Sequence, residues 1–324
     1  MSDSVFQSVL APFIDEFLAT KRALGYRYNS EENVLKRFDR YWMAVAENSE
    51  TIDETSMEKW LRQSSTEGKS SLEQRINTVK QFCLYMNGIG KNAYVPNIKV
   101  HRNKPLIHVF TREEMKELFH VIDSFIPVHQ SPDVTRMAEE YPVIFRLYAS
   151  TGLRRTEAVT LRYENINWDN RSITILNAKG RKDRVVFLSE DMTGILRNYS
   201  EKIRETYRIK TQWLFPAADV SKHLSSGALS IRFRAFWNQT ECAGHCEKRP
   251  TIHSFRHTFV VFRVNLWMKQ GSDTSVLMPY LSRYLGHKSE QETYYYYHQV
   301  LDAFELIRKQ DDRLGSVLPE VRVR

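Results

Sequence analysis

Between residues 91 and 115 the sequence changes character. The stretch "KNAYVPNIKVHRNKPLIHVFTREEM" carries two prolines, alternating apolar side chains and several basic ones, with no stripe long enough for an amphipathic helix. It separates a run of strongly periodic helical segments from a longer second part of different pattern. A chain of 324 residues exceeds what one hydrophobic core usually serves. The break therefore predicts two domains, residues 1–105 and 106–324, with a linker from about residue 92. Thr111 and Glu114 mark the next helix start as a capping box.

The first part reads as a small helical bundle. "APFIDEFLATKRALGY" places Phe13, Ile14, Phe17 and Leu18 at helical spacing, with Pro12 suited to a first turn and Gly25 to a C-terminal cap. In "NSEENVLKRFDRYWMAV", Asn29 and Glu32 are spaced like a capping box, and Val34, Leu35, Phe38, Tyr41 and Trp42 form one stripe. "TSMEKWLRQ" is a shorter candidate, and "SSLEQRINTVKQFCLYMNGIG" sets Leu72, Ile76, Val79, Cys83 and Met86 on one face, which makes Cys83 a core residue. Opposite faces carry Lys21, Arg22, Lys36, Arg37, Arg40 and Lys80, on charge alone an ordinary solvated surface.

The second part opens helical. "YPVIFRLYASTGLRRTEAVTLRYENINWD" reads as a helix, a tight turn at Thr151 and Gly152, and a second helix. "RSITILNAKGRKDRVVFLS" switches to a period of two and predicts a β-hairpin with a basic tip, where Gly180 supplies a positive φ. The remainder returns to helical patterns. The fold class is mainly α with a small β-hairpin or sheet.

A formal net charge of +8, spread over both halves, suits a polyanionic partner. Three cysteines are too few for a secreted disulfide framework, and no apolar run reaches membrane-spanning length. The expectation is a soluble cytoplasmic protein with no membrane association.

Four separated fragments bear chemistry. "TGLRRTEA" offers Arg154 and Glu157 at a turn-to-helix junction, where backbone N–H groups also favour an anion. "NAKGRKDR" offers Lys179 at the hairpin tip beside Arg181 and Lys182. "IHSFRHTF" offers His253 and Arg256 on one helical face. "YLGHKSEQETYYYYH" offers His287 and four consecutive tyrosines. Two arginines, a lysine, two histidines and a tyrosine suit a phosphodiester: planar guanidinium forks neutralise the nonbridging oxygens, and a phenol with a pKa of about 10 needs a proton acceptor to attack at neutral pH.

In this order the fragments resemble the tyrosine recombinase, or phage integrase, family. The resemblance matches Arg154 with Glu157 as its acidic partner, Lys179 (with Ala178 where a glycine is usual), His253, Arg256 and His257 in the H-x-x-R-H pattern, and His287 in the L-G-H pattern. It places the nucleophile nine residues beyond His287, at Tyr296, with His298 close behind. Tyr294, Tyr295 and Tyr297 then read as scaffolding or DNA-facing surface, although a small register change would present Tyr295 or Tyr297 instead.

The resemblance implies a site-specific recombinase or integrase that cleaves and rejoins double-stranded DNA through a 3′-phosphotyrosine, with no metal, ATP or other cofactor. It also implies a SAM-like core-binding bundle ahead of the catalytic domain, which turns the basic helical faces toward DNA, and a homotetramer on two duplexes, with accessory proteins as further partners. The "ETYYYYH" stretch is most similar to transposon-encoded members, which points to a mobile element. A type IB topoisomerase-like enzyme and a non-catalytic DNA-binding accessory protein stand as alternatives. The amphipathic segment with Phe304, Leu306 and Ile307 is expected to dock on its own chain or on a neighbouring protomer. Cys242, His245 and Cys246, with His253 downstream, have tolerable zinc spacing, but the second ligand pair is absent and His253 is already assigned, so no metal site is expected. His257, adjacent to Arg256, is expected not to share the face of His253 fully and to be a packing or hydrogen-bonding histidine.

Overall fold

The computed structural model describes residues 5–46, 49–100, 107–176, 183–246, 248–287 and 292–293. The chain divides into two compact units, Met1–Pro105 and Leu106–Arg324.

In the first unit four helices, α1 (Ala11–Ala23), α2 (Asn29–Val45), α3 (Glu54–Leu61) and α4 (Lys69–Gly88), close around Phe17, Phe38, Trp42, Phe82 and Met86. Cys83 is fully buried among them, as its helical position predicts. The α1 helix ends as expected, with Gly25 at φ +86° and Tyr26 N–H donating back to Lys21 O. The start of α2 differs from expectation. Tyr28, in the left-handed conformation, is its N-cap, and no side chain caps it. Asn29 is already helical, and Glu32 turns outward to pair with Arg22 and Lys36. The buried carboxylate of Asp39 accepts from Gln7 N (2.8 Å), Ser8 N (3.1 Å) and Ser8 Oγ (2.5 Å), which fixes the segment before α1 to α2. Part of the stretch after α4 packs on the same unit, because Ala93 forms a parallel bridge with Ile52.

The second unit is built on α5 (Arg112–Asp123), α6 (Pro132–Thr151), α8 (Glu190–Glu205) and α10 (Ile252–Lys269), with α6 packed on both α8 and α10. The capping box at α5 forms with both bonds, Thr111 N to Glu114 Oε2 (2.8 Å) and Glu114 N to Thr111 Oγ1 (3.1 Å). Phe110, Phe145, Phe233, Phe236, Trp237 and Phe255 make an aromatic core, each worth about 2 kcal/mol when taken out of water. Its remaining walls are α9 (Ser226–Trp237) and the small sheet.

The predicted hairpin is present as β2 (Ser172–Ile175) and β3 (Arg184–Phe187), antiparallel with Ser172 opposite Phe187 and Ile175 opposite Arg184. A two-residue strand, β1 (Ile166–Asn167), adds to β2 and completes an order β1-β2-β3. The second helix expected after Gly152 is short: α7 spans only Arg155–Val159 before the chain turns into β1. The last described helix is α11 (Thr274–Leu285), packed on α10 and β3. No described helix is long and apolar enough to cross a membrane.

Candidate active site

Two glycine-ended helices and one buried helix bring the separated motifs together. The α6 helix terminates at Gly152, which has φ +64° and on which a Cβ would lie 2.8 Å from Phe259 Cδ1. Both the backbone angle and the contact with α10 therefore require glycine. The α11 helix terminates at Gly286, φ +66°, with His287 N–H donating to Ser282 O. Between them runs the first half of α10, buried on most sides from Ile252 to Val261.

Arg256 points from α10 into this gap and is only 1% exposed. Its Nη1 donates to Gly152 O (2.9 Å), and its Nη2 donates to Leu285 O (2.7 Å) and lies 2.7 Å from His287 Nε2. A guanidinium is a donor only, so Nε2 accepts and the ring proton sits on Nδ1, facing the buried Thr293 Oγ1 at 2.6 Å. Arg154, the N-cap residue of α7, reaches the same turn, its Nη2 donating to Gly286 O at 2.6 Å. The carbonyls at the end of α11 thus receive one bond from each arginine, which satisfies acceptors that a helix end leaves open.

Glu157 organises the other side. It accepts from Arg154 N (2.8 Å) and Arg154 Nη1 (2.9 Å), so the backbone N–H expected to favour an anion is already used. Arg184, at the start of β3, grips the same carboxylate with Nη1 at 2.9 Å and Nη2 at 2.7 Å and donates Nε to Tyr284 O. Burial disfavours the charged form of Glu157, but the bonds and charge of Arg184, with the bonds from Arg154, outweigh it and hold the carboxyl at about 2. Arg184 fixes the base of the hairpin to the site. Residues 177–182, with Lys179, Arg181 and Lys182, lie outside the described residues, as do Tyr294 to Tyr297 and His298 and the segment containing Phe304.

His253 sits one turn before Arg256 with an open face to solvent. Its ring meets that of His257 edge to face at 4.7 Å. His257 is itself packed, 7% exposed, and four residues bring it back to nearly the same side of the helix as His253. The protein packed around His253, then the charges of Arg256 and Arg154, lower its pKa to about 4, and burial does most to lower His257 and His287 to about 3. All three rings are neutral at pH 7. A cleft of about 450 Å³ opens beside His253, lined by Arg155, Ser230, Arg234, Pro250 and Thr251. A larger one, about 660 Å³, lies at Tyr163, Trp168 and Arg197 and contains none of these groups.

The structure therefore gathers Arg154, Glu157, His253, Arg256, His257 and His287. Two members of the cluster were not anticipated. Arg184 is hidden among the basic residues of the hairpin, and its opening of an apolar strand is the only local hint. Thr293 offers no hint, since its role is set by His287. In the first unit, Arg22 and Lys36 are engaged by Glu32, and Lys21 lies near Gln81 and over the ring of Phe17, so the proposed DNA face is not uniformly open.

The phage integrase family model matches residues 108–302. A putative integrase/recombinase, y4rB of Sinorhizobium fredii, is 23% identical over 291 residues, covering 87% of this chain and 90% of the relative. Tyrosine recombinase XerC of Staphylococcus aureus is 25% identical over 233 residues, 71% of this chain and 70% of the relative. Among solved structures, the integrase of transposon Tn1549 in complex with transposon right-end DNA superposes with a TM-score of 0.64 at 15% identity, covering 95% of this chain and 100% of that one. The chain belongs to the phage integrase family, the tyrosine recombinases, enzymes that cleave and rejoin DNA.

Proposed function

We propose that this recombinase serves a mobile element and that its chemistry is carried by Arg154, Arg256, His253, His287, Lys179 and Tyr296. The observation that carries the reading is the convergence of Arg154, Arg256 and His287 on the single turn Leu285–Gly286–His287, with His253 one turn away on the same helix as Arg256.

Arg154 and Arg256 neutralise the nonbridging oxygens of the scissile phosphate. The phenol of Tyr296 attacks phosphorus and its proton passes to His253. The ring is neutral at pH 7 and exposed to solvent, and the arriving phosphate anion counters the arginine charges that depress its basicity. The bond from phosphorus to the 5′ oxygen breaks, and Lys179 returns a proton to that oxygen. The resulting 3′-phosphotyrosine keeps the energy of the broken ester, and a 5′ hydroxyl of another strand reverses each step to join new ends. His287 supports the phosphate, Glu157 positions Arg154, and His257 and His298 complete the pocket.

Exchange between two duplexes needs four strand cleavages, so the working form is a homotetramer on DNA. The first unit supplies phosphate contacts from Lys21, Arg37, Arg40 and Lys80, with Arg22 and Lys36 partly diverted to Glu32. The chain acts in the cytoplasm, where the element's DNA is accessible, and accessory proteins set direction.

The test is a denaturing-gel search for covalent protein–DNA adducts, using DNA that flanks the gene and comparing wild type with Tyr295→Phe, Tyr296→Phe and Tyr297→Phe. Only Tyr296→Phe should lose the adduct while keeping DNA affinity. Robust cleavage by that variant would reassign the nucleophile. Relaxation of a supercoiled plasmid with no joining of two fragments would favour a topoisomerase-like enzyme, and no adduct on bound DNA would favour an accessory role.

A further inference from the structure

Outside the arginine–histidine cluster, a second group of side chains with metal-binding chemistry comes together. His108, Glu114 in the first turn of α5, and Cys246 just before α10 each bring one ligand atom within 4.8 Å of the others. The Cys246 Sγ is 3.4 Å from His108 Nδ1, while His108 Nε2 is 3.2 Å from Glu114 Oε2. A carboxylate on one ring nitrogen and a sulfur facing the other is the arrangement that orients a ligand histidine. With ordinary zinc bond lengths, a nitrogen and a sulfur on one tetrahedral ion lie about 3.6 Å apart, close to the spacing observed here.

The surroundings support a built site. The His108 ring is fixed edge-on against Phe110 and Trp237, at 5.0 and 5.7 Å. A second thiol, Cys242, is carried by the helical turn Glu241–His245 that ends at Cys246, and its backbone N–H donates to Glu117 Oε2 at 3.2 Å. Glu117 stands one turn beyond Glu114, so α5 presents two carboxylates to two thiols. The His108 and Glu114 side chains, 13% and 14% exposed, leave a path for an ion. In the protein without metal, the Cys246 thiol also donates to Lys248 O at 2.8 Å. The sequence alone pointed to His245 and His253 as partners, but His245 is exposed and the histidine that meets Cys246 lies 138 residues upstream.

We propose that His108 Nδ1 and Cys246 Sγ bind a zinc ion, with Glu114 orienting the imidazole. A thiolate and an imidazole together select zinc over the hard divalent cations. Binding releases the Cys246 thiol proton to solvent and replaces its bond to Lys248 O. The ion ties the start of the second unit to the turn that leads into α10, and so steadies the helix that carries His253 and Arg256.

The experiment uses the full chain purified without a histidine tag, reconstituted with zinc chloride, desalted, and measured for zinc content and for affinity against a chromophoric chelator. One zinc per chain is expected. His108→Ala and Cys246→Ser should lose it, Glu114→Gln should weaken it about 10- to 100-fold, and His245→Ala should leave it unchanged. Cobalt(II) in the wild-type chain should show thiolate-to-metal charge-transfer absorption, a readout that needs no variant to fold. Folded wild type without bound zinc, cobalt without that absorption, or equal affinity in folded His108→Ala and Cys246→Ser would each overturn the proposal.

Discussion

Arg256 donates to His287 Nε2 at 2.7 Å, so one member of the proposed phosphate-binding set is held by another before any phosphate arrives. The histidine cannot give a proton to a ligand through Nε2 while that bond stands. We therefore expect nitrogen-15 spectra of the free protein to show His287 as the neutral Nδ1–H tautomer across pH 5 to 8, with a change on binding DNA. The Nε2–H form in the free protein would contradict this geometry.

A pH effect on stability follows from the three depressed histidines. In the unfolded chain each takes up a proton near pH 6.5, whereas in the fold His253 does so only at about 4 and His257 and His287 only at about 3. Below about pH 6.5 the unfolded state thus binds more protons, and stability present above that pH is lost progressively as pH falls toward the folded values. Glu157, held at about 2, loses its contribution only below the ordinary carboxylate range. Melting temperatures should therefore fall between about pH 6.5 and 5. A flat profile in that window would show that the rings are not held neutral.

Glu157→Gln should cost about 3 kcal/mol of stability, because it leaves the largely buried Arg184 guanidinium and Arg154 without their shared counter-charge. Cleavage should fall further than the stability loss explains, since Arg154 loses its orientation. Chemical denaturation paired with single-turnover cleavage separates the two. Full cleavage by a destabilised variant would mean that Glu157 only holds the fold.

Gly152→Ala should destabilise by about 1–3 kcal/mol, combining a left-handed backbone angle with a methyl group driven against Phe259. Since Gly152 O orients Arg256, adduct formation should weaken as well. An alanine variant with unchanged melting and cleavage would show that α6 and α10 can separate at no cost.

In the first unit, Arg37 and Arg40 pair with no carboxylate among the described residues, while Arg22 and Lys36 share Glu32. Arg37→Ala and Arg40→Ala should each reduce the salt slope of DNA binding by roughly 1, and Arg22→Ala by less. Equal effects would show that the Glu32 pairs dissolve on DNA.

The parts of this architecture legible in the sequence are those fixed by neighbours in the chain. The capping box at Thr111 and Glu114, the glycine at the end of α1, the hairpin's alternation and the buried Cys83 all depend on residues within a few positions. The same local logic misled at Asn29 and Glu32, where an ion pair with Arg22 on another helix competes for the carboxylate. It missed β1, because two residues carry no period, and Arg184, because its meaning depends on Glu157, 27 residues away.

Both arginines proposed to bind phosphate rest on main-chain oxygens: Arg256 on those of Gly152 and Leu285, and Arg154 on that of Gly286 together with the Glu157 carboxylate. A carbonyl is the same whatever side chain its residue carries. Exposed residues of α11 such as Val276 and Tyr280 can therefore drift in identity over evolutionary time without disturbing the guanidinium groups, provided the chain still turns where Gly152 and Gly286 make it turn. A site wired in this way can persist among relatives that share few of their other residues.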